Sequence, residues 1–301
     1  MGRNRQLPPW QTSFVLLSAI WGASFMFIKV GLEDLGPLEV AFARCALGAL
    51  ALIALVAVLR QQLPRGREIW ARLFVIAIFF NSVPFSLFSF GEQHVSSVIA
   101  GILNATTPLC TVLFAMALLP DERPSRARVG GLLVGFAGVL TVLGPWRNLG
   151  GGTVLGYALC LGPAICYGFG YAYTRRHLVG RQESFVSLSA AQVGIGALQL
   201  AVVMPFFSSA PSHISLKVWG SMLALGALGT GIAYVLNYDV IHRAGATTAS
   251  SVTYLVPLFA TLFGVTLLSE GLTWNEPVGA LVIILGVPIS QGVLRRATVP
   301  A

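Results

Sequence analysis

Residues 108–122 read PLCTVLFAMALLPDE, and residues 257–270 read PLFATLFGVTLLSE. Both stretches open on Pro-Leu, carry Leu-Phe in the middle and Leu-Leu near the end, and close on an acid. They lie about half the chain apart. What this echo means depends on what lies between the two copies.

The chain has 301 residues, 55% of them hydrophobic and only 10% charged. A soluble domain carries about 25% charged residues and could not cover its surface with so few. Runs of about 20 apolar residues cross a bilayer as helices, because the lipid core offers no water to backbone polar groups. Ten such runs are read near 14–33, 38–59, 69–90, 95–119, 129–146, 153–174, 184–207, 217–241, 247–268 and 277–294. Charged or Pro/Gly-rich breaks separate them, and almost no chain is left for a soluble domain. The first run is long for a signal peptide and has nine successors, so it is read as a helix of the mature protein. Cys45, Cys110, Cys160 and Cys166 all fall inside these runs and are read as packing residues, not disulfides.

Basic residues set the expected orientation. With a cytoplasmic N-terminus, the inner segments hold Arg3, Arg5, Arg60, Arg65, Arg67, Arg72, Arg123, Arg126, Arg128, Arg175, Arg176, Arg181, Arg243, Arg295 and Arg296. The outer segments hold only Arg147 and Lys217, beside acids such as Glu33, Asp34, Glu39, Glu92, Glu270 and Glu276. The reading is a multi-pass protein of the inner (cytoplasmic) membrane with both termini cytoplasmic. The net charge of +8 reports this orientation, and no nucleic-acid partner is expected.

Five is an odd number, so a second set of five helices starts from the opposite side. The 108–122 stretch then runs inward in the fourth helix and its echo runs outward in the ninth. Other echoes keep the same order at a spacing of roughly 146–149 residues. Trp21-Gly22 through Phe25 parallels Tyr167-Gly168 through Tyr171, and Gly48-Ala49-Leu50 parallels Gly196-Ala197-Leu198. Gly131 and Gly138 parallel Gly279 and Gly286. The expected fold is an all-α integral membrane protein of ten transmembrane helices, arranged as two inverted five-helix repeats (1–150 and 151–301) around a central cavity.

The first half carries WGASFMFIKVGL, LEVAFARCALGALAL, SSVIAGILNATTPLCTVLFAMALLPDERP and GGLLVGFAGVLTVL. The second carries AGATTASSVTYLVPLFATLFGVTLLSEGLTW and GALVIILGV. On these stretches the whole chain resembles the drug/metabolite transporters of the EamA type. The resemblance implies a ten-helix bundle that moves small metabolites by secondary transport, often amino acids or related compounds and frequently outward. One departure stands out: Gln192 occupies the second-half position that matches Arg44.

No G-x-x-x-x-G-K-[ST] phosphate loop is present to drive transport by ATP within the chain, and no cofactor is expected. The partners implied are a small-molecule solute and the lipid bilayer, with the chain a monomer or a homodimer. The alternatives are a channel or facilitator, which would conduct without saturation, and an intramembrane enzyme. For the latter, Tyr238-Asp239 lacks a second membrane aspartate to share a proton. His94, His177, His213 and His242 are too scattered for a metal site, so no catalytic or metal-ligating residue is assigned.

Polar groups inside a span tend to face a bundle interior or cavity. Helical spacing puts Asn81, Phe85, Phe88 and Glu92 on one face of the third helix, and Tyr234, Asn237, Tyr238 and Ile241 on one face of the eighth. The sixth helix offers Tyr167, Tyr171 and Thr174, and the first offers Trp21, Ser24 and Phe25. Asn104 and Thr253 match across the repeat, each four residues before a proline, Pro108 or Pro257. These prolines are read as hinges, since each removes a helical hydrogen bond. Lys29 and Arg44 lie at similar depth and could capture a carboxylate, which Arg grips through two parallel hydrogen bonds. The plainer reading pairs Lys29 with Glu33 at i,i+4 and gives Arg44 a structural partner. Asp239 is expected to pair with Arg243 one turn on.

Overall fold

The structure is a computed structural model and describes residues 9–95, 97–120, 124–144, 146, 153–208, 211, 213–268 and 273–291. Among these residues every regular element is a helix. Helix α1 spans Trp10–Gly31 and α2 spans Pro37–Val58. Helix α3 runs from Arg67 to Gly91, α4 from Ser97 to Leu118, and α5 covers Arg126–Leu143. In the second half, α6 is Val154–Leu178, α7 is Phe185–Val203 and α8 runs from Leu216 to Ala244. Helix α9 runs from Ala246 to Leu268, and α10 is Asn275–Gln291. Nine of these are long and apolar enough to cross a membrane, and α10 supplies a shorter tenth.

Large apolar side chains point outward all round the bundle. Leu50 is 63% exposed, Leu198 69% and Leu281 64%. In water such a surface would be a liability; in a bilayer it is the solvated face. The helix starts are polar. The hydroxyls of Ser125, Thr153, Ser184 and Ser215 each accept from a backbone N–H in the following turn. Glu39 reaches back to the Gly36 amide at 2.5 Å to close α2.

The loops sort into two ends. At one, Lys217 bridges Glu33 at 2.7 Å, and Asp34 accepts from the Ser215 amide at 2.8 Å. At the other, Arg181 meets Glu68 at 3.0 Å, and Arg175 donates to the His242 carbonyl at 2.8 Å. This second end gathers the described basic residues from Arg60 to Arg72, Arg126 and Arg128, Arg175 to Arg181, and Arg243. Arg243 pairs with Asp239 at 2.5 Å, as the spacing predicts. Glu122, Arg147 and Glu270 lie outside the described residues.

Helices α5 and α10 lie antiparallel, backbone against backbone. A Cβ on Gly131 would sit 2.4 Å from the Ser290 nitrogen and 2.9 Å from the Gly286 oxygen. A Cβ on Gly279 would sit 2.4 Å from the Val142 nitrogen and 2.7 Å from the Gly138 oxygen. Gly131 and Gly279 are matching positions, and so are the residues they meet. The contact is therefore isologous, as a local two-fold axis requires.

Two helices depart from the regular pattern read in the sequence, and they do so alike. Helix α3 is π-helical over Ile78–Ser82, and α8 is π-helical over Ala227–Ile232. The two segments begin 149 residues apart. Helices α4 and α9 are also interrupted rather than continuous. The first breaks at 105–106 between Ser97–Asn104 and Thr107–Leu118; the second breaks at Ser251 between Ala246–Ser250 and Val252–Leu268.

Candidate functional site

A cavity lies between α1, α2, α3, α4, α6, α8 and α9. Trp21, Ser24 and Ile28 enter it from α1 at helical spacing, and Arg44 enters from α2. Phe80, Phe85 and Phe88 come from α3, and Tyr167 and Tyr171 from α6. Asn104 and Tyr234 face it from α4 and α8, and Thr253 and Val256 from α9. Matching positions of the two halves meet here: Trp21 with Tyr167, Phe85 with Tyr234, and Asn104 with Thr253.

The aromatic wall turns on Phe80. Its ring lies 4.9 Å from Tyr171 in an edge-to-face pair, 5.7 Å from Tyr167 and 6.2 Å from Tyr234. The Tyr234 hydroxyl donates to the Phe80 carbonyl, and the Trp21 indole donates to the Gly229 carbonyl at 3.2 Å. Both acceptors sit in π-helical segments, so the irregular backbone anchors the wall.

Arg44 is buried, with 7% of its surface exposed. Its Nε donates to the Thr230 hydroxyl at 3.2 Å, and its guanidinium lies over the Phe85 ring, 3.6 Å from the centroid. Among the described residues no carboxylate lies within ion-pair distance of it. Arg44 is also the one charged residue among those lining the cavity. A cation taken from water without a counter-ion is costly unless something else solvates it. Here Thr230 and Phe85 hold the side chain, and the rest of the fork is left to the cavity.

The other residues singled out from sequence are placed differently. Asn81, Asn237 and Tyr238 are buried but do not line the cavity. Gln192 donates to the Asn81 side-chain oxygen at 2.8 Å and accepts from the Tyr238 hydroxyl at 2.5 Å, a closed link between α3, α7 and α8. Lys29 is exposed, and its expected pairing with Glu33 is not made: Glu33 is taken by Lys217. The side chain of Phe25 lies outside the described part of the structure. Pro108 is the second residue of its helical segment, where a missing N–H is harmless, whereas Pro257 lies inside α9. The carbonyl of Asn104, four residues before Pro108, accepts from the Thr107 hydroxyl at 2.6 Å.

Phe80 is the cavity residue that α-helical counting misses. Counting back from Phe85 in α-helical steps reaches Asn81. The π-turn at Ile78–Ser82 widens the step to five residues and presents Phe80 instead. Ile28 continues the Trp21 and Ser24 stripe by four residues, a signal present in the sequence.

The EamA-like transporter family model matches residues 9–144 and again residues 154–290. The chain belongs to the EamA-like transporter family. Its relatives include the uncharacterized transporter YoaV of Bacillus subtilis, 26% identical over 288 residues, covering 95% of this chain and 97% of YoaV. The uncharacterized inner membrane transporter YedA of Escherichia coli is 28% identical over 289 residues, covering 95% of this chain and 91% of YedA. A solved structure titled "Crystal structure of protein" superposes with a TM-score of 0.77 over 94% of this chain and 99% of its own, at 20% identity. That likeness is one of fold. This EamA-like chain is thus a multi-pass membrane protein of a transporter family, with its cavity at the meeting of helices drawn from both matched stretches.

Proposed function

We propose that this chain is a secondary, non-ATP carrier of small carboxylate-bearing metabolites, amino acids and their relatives included. It works as an exporter in the inner membrane by alternating access between inverted five-helix halves. One observation carries the reading: a buried arginine with no acid partner among the described residues, held from behind and open in front, in a cavity whose walls are mainly aromatic. Such a fork suits a carboxylate, and the rings suit an apolar body. The test is a thermal-shift screen of purified protein against small organic acids and amino acids, since ligand binding raises apparent stability. Arg44→Gln is expected to weaken binding about ten- to a hundredfold, the loss of about 1.5–3 kcal/mol for a charge-assisted bond. Unchanged affinities in a folded variant would remove Arg44 from the site. A carrier, unlike a channel, also saturates and shows counterflow.

The basic end is assigned to the cytoplasm. Single cysteines at Arg65 and Arg126 are expected to escape an impermeant thiol reagent in intact cells, while one at Thr273 is labelled. Labelling of the first two would overturn this orientation.

A further inference from the structure

Among the described side chains, the acids at the end of the bundle opposite the basic one are nearly all engaged. Glu33 holds Lys217, Asp34 holds the Ser215 amide, and Glu39 holds the Gly36 amide. The Ser215 side chain and amide keep the Asp34 carboxyl below the usual range. Glu92 is the exception. It follows the last residue of α3, and its backbone N–H closes a turn onto Phe88, a cavity residue. Its Oε1 is shut off from solvent and has no hydrogen-bond partner.

The titratable groups around Glu92 come from three helices and its own turn. Lys29 on α1 and Arg44 on α2 both act on it, neither within ion-pair distance. Cys160 on α6 feels its charge across Gly91, and His94 is two residues on, exposed. Burial pushes the Glu92 carboxyl up to about 7, against the pull of Lys29 and Arg44.

An anion at Arg44 and an ionised Glu92 would draw on the same two cations and repel each other. Filling the cavity with an anion therefore favours the protonated form of Glu92. By linkage, a proton on Glu92 must then tighten the anion by the same factor. We propose that Glu92 is the proton site of this carrier, taking up a proton as an anionic solute binds Arg44, so that solute and proton travel together. This inference rests on the carboxylate-carrier reading and adds to it the coupling ion: solute and proton cross in the same direction, so export draws on the solute's own outward gradient and not on the inward proton gradient.

The experiment is titration calorimetry of the full chain in detergent, with indole-3-acetate, phenylpyruvate and cinnamate as probes. Repeating each run in two buffers of different ionisation enthalpy reads the protons taken up per ligand bound. At pH 7.5 the wild type is expected to take up most of one proton per anion. Its affinity should fall by up to about tenfold per pH unit above neutrality, as Glu92 ionises and competes for the cations. Glu92→Gln is expected to bind with no proton uptake and a flat affinity between pH 6 and 8.5. Should that variant not fold, the wild-type pH dependence and the protonated-carboxyl band in infrared difference spectra give the same reading. Binding that Arg44→Gln abolishes, but that carries no proton in the wild type, overturns the role of Glu92 and leaves the carrier reading standing. Proton uptake that persists in Glu92→Gln also overturns it. If none of the three probes binds the wild type between pH 5 and 8, both readings fall.

Discussion

Arg44 and Gln192 hold corresponding places in the two halves, yet they do opposite things. Arg44 keeps one hydrogen bond to protein and turns the rest of its fork to the cavity. Gln192 spends its amide on Asn81 and Tyr238 and does not line the cavity. A guanidinium is always charged and carries five donors, more than Thr230 and Phe85 can meet; an amide is neutral, and Gln192 finds an acceptor and a donor in its two neighbours. One scaffold position thus faces the cavity in the first half and fastens helices together in the second. A symmetric backbone does not make a symmetric site.

The comparison can be broken most severely where the halves touch. Gly286→Val would drive a Cβ into the backbone of α5, 2.4 Å from the Gly135 nitrogen, with no flexible side chain to yield. A loss of about 3 kcal/mol is expected, read by thermal unfolding in detergent. The matching Gly138→Val meets Ile283 at 2.7–2.8 Å and should behave alike; a neutral result at both would dissolve the symmetric contact.

Next in size is Gln192→Leu. It removes two buried hydrogen bonds and leaves Asn81 and Tyr238 unsatisfied, a cost of about 2–3 kcal/mol in stability. Solute affinity should stay within about twofold of wild type, a change well under 1 kcal/mol. Arg44→Gln should do the reverse, losing affinity and little stability. If both variants move the same quantity, the division of labour drawn between the two positions is wrong.

The prolines give the smallest effect and the sharpest contrast. Pro108→Ala replaces a first-turn proline and should change stability by less than about 1 kcal/mol. Pro257→Ala restores a donor for the Thr253 carbonyl inside α9 and should stiffen that helix beside the cavity. Spin-label distances across the two mouths are expected to shift toward opposite populations in the two variants, more strongly for Pro257→Ala. Wild-type distributions and transport in both would reduce these prolines to static kinks.

Much of this was legible in the sequence, for a physical reason. Lipid demands long apolar runs, so the helices announce themselves by composition, and an internal repeat needs only ordered echoes. Trp21, Ser24, Arg44, Phe85, Asn104, Tyr167, Tyr171, Tyr234 and Thr253, all singled out by polarity and spacing, line the cavity. What was hidden is the change of pitch. One extra residue in a π-turn rotates everything before it, and no residue in Ile78–Ser82 announces that turn, so Asn81 was expected where Phe80 stands. For Lys29, α-helical spacing shows only which acid is near in its own helix. It cannot show that Lys217, far along the chain, already holds Glu33.

The glycine seam between α5 and α10 has a mechanical consequence. Where two backbones meet with few side chains between them, little can rearrange its rotamers to absorb displacement. The seam has almost no compliance, while the cavity helices, with their π-turns and breaks, have a good deal. Any shear the bundle undergoes must accumulate away from this seam, so distances measured across it will serve as a fixed ruler against which the motion of the other eight helices can be read.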